Sequence, residues 1–304
     1  MVNGILNVYK EAGWTSNDVV SKLKGIVGQR KIGHTGTLDP DAEGVLPVCL
    51  GKATKLCGSL TDERKTYEAV LLLGVTTDTQ DASGTVLRRC EIEELPEEDR
   101  IRGTIAGFIG RQMQIPPMYS ARKVGGQRLY DLARQGVTVE REARPVYFYE
   151  IAVHSIDLPR VRFSVTCSRG TYIRTLCHDI GSRLGCGGCM EYLLRTQVGP
   201  FLLGEAVKIG RLQELRDAGR LAEAIVPIDR MYASLPSCRT DADSDAAAHN
   251  GNEIPAEALT ADEGAERIRL YDSEDRFVGV FKMTPGAGGY RPEQMYYDPD
   301  PTGI

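Results

Sequence analysis

No stretch of this chain is apolar for long. Its most continuous hydrophobic run, AVLLLGV from Ala69 to Val75, falls well short of the ~20 residues that span a bilayer. The first residues, MVNGILNVYKEAGW, show no basic region followed by an extended apolar one. A secretion signal is therefore not expected, and the cytoplasm is the expected location. Tryptophan occurs once and histidine four times. Around one glycine-rich loop, GHTGTLDPDAEGVLPV (Gly33 to Val48), there is no Ser–His pair, no metal cluster and no phosphate-loop lysine pattern. The eight cysteines are scattered, and without a secretion signal they read as reduced thiols, mostly buried, rather than a disulfide framework.

What is present is an uneven charge. The 42 acidic and 37 basic side chains leave a net charge of −5. Residues 235–304 hold 14 of the acidic and only 6 of the basic ones, so residues 1–234 are slightly cationic. That balance permits an RNA-binding face without requiring one. A length of 304 residues suits one large domain and a smaller one. The texture changes near Tyr232, where SLPSCRTDADSDAAAHNGNEIP shows little apolar periodicity before Ile254. Residues 1–231 are accordingly expected to form the main domain, and 232–304 a linker and a small β domain.

Several elements follow from pattern. Ile5–Lys10 (ILNVYK) reads as a first strand. Thr15 or Ser16 can cap a helix in which Val19, Val20, Leu23, Ile26 and Val27 recur at helical spacing. Gly44–Leu50 reads as a buried strand, with Pro47 pointing to an edge or a bulge. Lys65–Val75 is a second strong strand. The carboxylates of Glu91–Gly110 suit a solvated loop and a helix N-terminus. Val161, Phe163, Val165 and Cys167 alternate with polar residues, as in a half-buried strand. After Gly170 a helix is expected with Ile173, Leu176, Ile180 and Leu184 as its stripe and Gly185 as its stop. ERIRLYDSEDRFVGVFKM alternates, turns at Ser273–Asp275, and alternates again.

Candidate chemistry is sparse. DPDAEG (Asp39–Gly44) resembles the opening of a calcium loop, but Leu50 stands where the bidentate glutamate belongs. CGGC (Cys186–Cys189) has the spacing of half a zinc site. Its nearest complement, Cys177 and His178, occupies adjacent helical positions that point about 100° apart. RKVGGQRLY (Arg122–Tyr130) fits either an ordinary surface loop or contacts to RNA phosphates and bases. Asp39, before Pro40, fits either turn chemistry or a carboxylate presented to a ligand, with Gly33, Gly36 and Gly44 allowing close backbone approach.

Taken together, these stretches resemble a known family. GHTGTLDPDAEGVLPVCLGKATK, DERKTYEAVLLLGVTTDTQDASG, PPMYSARKVGGQRLYDLARQG, SRGTYIRTLCHDIGSRLG and LLRTQVGPF occur in the order found in tRNA pseudouridine synthases of the TruB type. The resemblance covers most of residues 1–205, and the tail resembles a PUA-type domain more weakly. It implies an α+β fold: a large mixed, mostly antiparallel sheet flanked by helices, with a small PUA-like β-barrel appended. It implies isomerisation of the uridine at position 55, in the T arm of tRNA, to pseudouridine, with no metal or other cofactor.

By the same resemblance, Asp39 matches the catalytic aspartate and Arg174 the arginine that pairs with it. Tyr67 matches a tyrosine that stacks on the target base, and His34 a histidine that steadies the rearranged T loop. Leu193 (or Leu194, one register along) matches an apolar pocket residue. Arg122, Lys123 and Arg128 fall in an insertion near residues 111–136 that the family uses as a thumb against RNA. The expected partner is tRNA, bound by a monomer without a membrane. The acidic tail is unlike a basic RNA-binding surface. A tRNA-binding folding chaperone with little isomerase activity is the competing reading.

Overall fold

In the computed structural model, residues 1–91, 95–120, 122–260, 264–286 and 288–299 are described, without the side chains of Lys123 and Arg128. The chain enters as β1 (Gly4–Lys10) and turns into α1 (Ser16–Val27). Thr15 starts that helix through a capping box: its hydroxyl accepts from the Asp18 amide while the Asp18 carboxylate accepts from the Thr15 amide. Gly28, in a left-handed conformation, ends it. The expected stripe of Val19, Val20, Leu23 and Ile26 packs on Leu6, Val8, Leu46 and Val48.

β2 (Ile32–His34) and β3 (Glu43–Leu50) follow, with β3 antiparallel to β1 from Gly4 opposite Leu50 to Lys10 opposite Gly44. Pro47 marks neither an edge nor a bulge, because β3 is paired on both sides. Its carbonyl accepts from the Thr35 amide, so its nitrogen also faces away from β1, and no bond of the β1 ladder is lost.

After α2 (Cys57–Asp62) comes β4 (Lys65–Leu73), which stops two residues earlier than the sequence suggests because Gly74, at φ +80°, turns the chain. A small hairpin, β5 (Val75–Thr77) and β6 (Val86–Arg89), leads to α3 (Glu98–Ala106), whose first turn holds Glu98 and Asp99 as the dipole favours. β7 (Gly110–Gln114) precedes an excursion of β8 (Lys123–Val124), β9 (Gln127–Arg128) and α4 (Leu129–Arg134). β10 (Arg144–Asp157), β11 (Arg160–Cys167), α5 (Ile173–Leu184) and β12 (Gly188–Val198) complete the frame.

The large sheet has 11 strands, with a continuous path of Val207–Lys208, β1, β3, β12, β4, β11, β10 and β7. Only the pairings of β1 with Val207–Lys208 and of β3 with β12 are parallel. α3 and α5 cover one face, where Ile101, Ile105, Leu176 and Ile180 meet Leu71, Phe148 and Phe163. α5 lies very close to β12: a Cβ on Gly181 would sit 2.2 Å from the Gly187 backbone, so only glycine fits.

A second, six-stranded barrel-like sheet occupies the tail, in the order Ile254–Pro255, Gly289–Met295, Phe277–Met283, Arg267–Tyr271, Ser237–Thr240 and Leu259–Thr260. Part of the stretch read as a linker is thus structured. Ser237–Thr240 runs parallel to Arg267–Tyr271, and Asp245–His249 is helical. The strand Ser237–Thr240 buries only Cys238 and Thr240, too few to give a sequence period. The two sheets share a core in which Phe277 and Tyr296 pack with Val198, Phe201 and Ile228.

Candidate active site

The loop between β2 and β3 presents Asp39, and two buried cations hold it in shape. Lys10, fully buried at the end of β1, donates to the carbonyls of Pro40 at 2.9 Å and Trp14 at 2.6 Å. Burial pushes its ammonium down to about 8. Arg195 on β12, 1% exposed, donates to the carbonyl of Val45 at 2.7 Å and more loosely to those of Gly36 and Thr37. β3 meets β12 closely enough that a Cβ on Gly44, at φ +106°, would lie 2.2 Å from the Arg195 carbonyl. Ser16, in the first turn of α1, accepts from the Leu38 amide at 2.9 Å. With its backbone fixed from below, the loop directs the Asp39 carboxylate outward.

There it meets Arg174, in the first turn of α5. Nε lies 2.9 Å from Oδ2 and Nη2 lies 3.2 Å from Oδ1, a two-pronged contact between residues 135 positions apart. The guanidinium also donates to the carbonyls of Tyr119 at 2.9 Å and Thr79 at 3.1 Å, and pairs with Asp81 at 3.5 Å. Gln80, between the last two, is a non-glycine residue at φ +66°, a costly conformation that turns Thr79 and Asp81 to the same arginine. Arg174 is buried, whereas 40% of the Asp39 side chain remains open to the cleft. Even so, the packed walls deprive its charged form of solvation. Together with the Asp81 charge they raise its pKa above the ordinary carboxylate range, against the pull of Arg174.

Asp39 stands where two cavities meet. A cleft of about 1120 Å³ runs past His34, Asp39, Tyr119, Tyr130, Arg134 and Leu193. A chamber of about 240 Å³ lies behind it, lined by Asp39, Tyr67, Arg174, Leu193 and Arg195 among others. The chamber is smaller than the ~300–1,000 Å³ of drug-sized pockets, a size for one base rather than a duplex. Tyr67 on β4 is 7% exposed, and burial pushes its phenol up to about 12. It therefore keeps its proton at neutral pH. Leu193, and not its neighbour Leu194, faces both cavities. His34 accepts from the Gly36 amide through Nδ1 at 3.3 Å, and burial with the nearby Arg195 lowers its pKa, leaving a neutral ring.

Four of the expected residues, Asp39, Arg174, Tyr67 and Leu193, thus share one chamber, and His34 lies on the adjoining cleft. Arg122 is half-buried on the excursion. The side chains of Lys123 and Arg128 lie outside the described residues. Arg134 and Tyr130, from the same excursion, line the cleft instead, with the guanidinium 5.5 Å from the ring centroid. Sequence reading missed Lys10, Asp81 and Arg195. For Arg195 a signal existed: on alternating β12 it shares the face of apolar Leu193. Among the described residues no group of three or more His, Cys, Asp or Glu is arranged to hold a metal, and Cys177, Cys186 and Cys189 are buried free thiols.

The chain is also similar to known proteins. Residues 24–173 match the TruB family pseudouridylate synthase N-terminal domain, and residues 174–233 match the tRNA pseudouridylate synthase B C-terminal domain. A tRNA pseudouridine synthase B of Lachnoclostridium phytofermentans is 46% identical, over 97% of this chain and 100% of its own length. One from Burkholderia mallei is 44% identical, over 94% of each. Among solved structures, a Cbf5–Nop10–Gar1 complex contains a chain similar to this one with a TM-score of 0.70 at 27% identity, covering 98% of this chain and 86% of that chain. An H/ACA RNP bound to a substrate RNA containing 2′-deoxyuridine gives a TM-score of 0.69 at 26% identity, with the same coverage.

Proposed function

This chain belongs to the TruB family of tRNA pseudouridine synthases, and on that premise we propose that it isomerises the uridine at position 55, in the T arm of tRNA, to pseudouridine. The observation that carries the reading is the two-pronged Arg174–Asp39 contact at the junction of a wide cleft and a base-sized chamber. The cleft admits the loop of a folded RNA, and the chamber receives one base turned out of its stack.

In the proposed reaction the bond from C1′ to N1 breaks, the uracil turns in the chamber, and C1′ bonds to C5. C5 gives up its hydrogen as a proton and N1 gains one, so the step balances without oxidant or reductant. Asp39 acts in its ionised form, as nucleophile or as base. Arg174 holds both carboxylate oxygens and favours that form, and Tyr67 offers its ring to the base and its retained phenolic proton to later transfer. Turning the base out costs a few kcal/mol, and stacking of about 1–3 kcal/mol on Tyr67 offsets much of it. His34 and the excursion carrying Arg122, Lys123 and Arg128 grip the RNA, so affinity falls steeply with salt.

In this reading residues 1–231 are the catalytic domain and 232–304 a linker and PUA-like domain, in a monomeric cytoplasmic enzyme without a metal. Mapping pseudouridine along a tRNA transcript by carbodiimide-dependent primer-extension stops tests the substrate. A single enzyme-dependent stop at position 55 is expected. Stops at other uridines alone, or none, would overturn the assignment.

A further inference from the structure

A second nucleotide contact lies outside the chamber. Tyr147 and Tyr149 occupy one exposed face of β10, at i and i+2, with 44% and 37% of their surface open to solvent. Their ring centroids are 4.8 Å apart, and the exposed guanidinium of Arg64 lies 3.9 Å over the Tyr149 ring. Arg111 on β7 stands opposite Tyr147 in the strand pairing. Among the described residues, neither Arg64 nor Arg111 forms an ion pair, whereas the neighbouring Arg169 is neutralised by Asp62 at 2.5 Å.

Two part-exposed aromatic rings beside a cation that has no carboxylate partner among the described residues are an unusual use of surface, and this one is continuous with the active site. Arg64 precedes Lys65, which lines the chamber. Tyr147 exchanges hydrogen bonds with Ser168, which also lines it: the Tyr147 amide donates to Ser168 Oγ at 2.9 Å, and the Ser168 amide donates to the Tyr147 carbonyl at 2.9 Å. The ring pair therefore lies beside the chamber wall, joined to it by the peptide link from Arg64 to Lys65 and by the hydrogen bonds between Tyr147 and Ser168. Aromatic rings with an interleaved guanidinium are the surface that unstacked bases and their phosphates recognise.

We propose that Tyr147, Tyr149 and Arg64 form a platform for a nucleotide of the RNA substrate that flanks the target uridine, its base on the tyrosines and its phosphate on Arg64 and Arg111. The inference rests on the proposed RNA function, which supplies the occupant. It is a binding contact, remote from the reacting atoms, so it acts on affinity and not on the chemical step.

The test compares Arg64→Ala and the double variant Tyr147→Ala/Tyr149→Ala with wild type. Binding of a tRNA transcript is measured across a salt series, and single-turnover pseudouridine formation at saturating enzyme. Both variants are expected to raise Kd about tenfold, with the saturated rate within about twofold of wild type. Arg64→Ala is expected to lower the slope of log affinity against log salt by about 0.7–0.9. The double Tyr→Phe variant, which keeps both rings, is expected to bind like wild type. Unchanged Kd and salt slope in the alanine variants, with wild-type turnover, would overturn the platform. Weaker binding in those variants alongside a wild type that forms no pseudouridine would uphold the platform and overturn the proposed activity. A wild type that does not bind the transcript would overturn both.

Discussion

Arg174 is shared between Asp39 and Asp81, at 2.9 Å and 3.5 Å, so one buried guanidinium holds two carboxylates of different standing. Asp39 takes two of its nitrogens and opens to the cleft, while Asp81 takes one from the side. Both remaining directions of the fork end on backbone carbonyls, of Thr79 and Tyr119. A lysine cannot make this set of contacts from a single ammonium. Arg174→Lys is expected to lower the single-turnover rate by about 10²–10³-fold, with a much smaller change in RNA affinity. Rate and Kd measured on the same transcript check this, and a near-normal rate would contradict it.

The raised pKa of Asp39 has a direct kinetic reading. Because the ionised form is the working one, activity falls as the carboxylate takes up a proton. The acid limb of the single-turnover pH profile is therefore expected above the ~3.9 of a free aspartate. Asp81→Asn removes a like charge and should move that limb to lower pH, even as the loss of its contact with Arg174 slows the reaction. The sign for stability is the opposite. A carboxyl whose pKa is higher in the folded state contributes stability below the unfolded value, and loses it as pH rises through the folded one. An acid limb that stays in place in Asp81→Asn would contradict the assignment of its cause.

Arg195 never touches the reacting carboxylate yet fixes the loop that carries it. Replacing it with methionine keeps much of the volume and leaves the carbonyls of Val45, Thr37 and Gly36 without their donor. Each buried group left unpaired costs about 1–3 kcal/mol, and the longer two contacts contribute the lower end. Arg195→Met is expected to lose about 3–5 kcal/mol in urea unfolding and a large part of its rate, while its acid limb stays near that of wild type. Unchanged stability would contradict the clamp.

The tail makes a different contribution. Arg239, Arg267, Arg276, Lys282 and Arg291 are each paired with an acidic side chain of the tail itself, and Arg269 donates to the Leu235 carbonyl. Little positive charge is left for RNA. Tyr296, by contrast, packs into the core of the large sheet and shares a hydroxyl contact of 2.7 Å with Tyr232. Removing residues 235–304 would open that core, so a truncated chain keeps its activity only if the remainder folds. Tyr296→Ala tests the point more gently. It is expected to cost about 3 kcal/mol of stability while leaving the saturated rate on a T-arm stem–loop within about twofold.

Helix α5 and strand β11 were legible in the sequence because their apolar residues recur at 3.6 and 2.0, and Thr15 was one of the two residues read as the cap of α1. Pro47 misled, since a proline reads as an edge unless one knows which way its nitrogen faces. Asp39 is indistinguishable from a turn residue by composition, and only the resemblance to a known family singled it out. The carbonyl partners of Lys10 and Arg195 were hidden for a physical reason, although the face that Arg195 shares with Leu193 was readable. A strand-end lysine and an isolated arginine normally reach water, and what buries them is carbonyl groups brought close by chain crossings that no local pattern encodes. Asp81 was hidden in the same way, behind the left-handed turn at Gln80.

The most direct measurement uses a T-arm transcript carrying tritium at C5 of its uridines. Pseudouridine formation must release that hydrogen, because C5 becomes the glycosidic carbon. Wild-type protein is expected to release one equivalent, and Asp39→Asn none while still binding the RNA. Release by Asp39→Asn at the wild-type rate would remove Asp39 from the chemistry. No release by wild type, despite tight and salt-sensitive binding, would contradict the proposed reaction on this RNA.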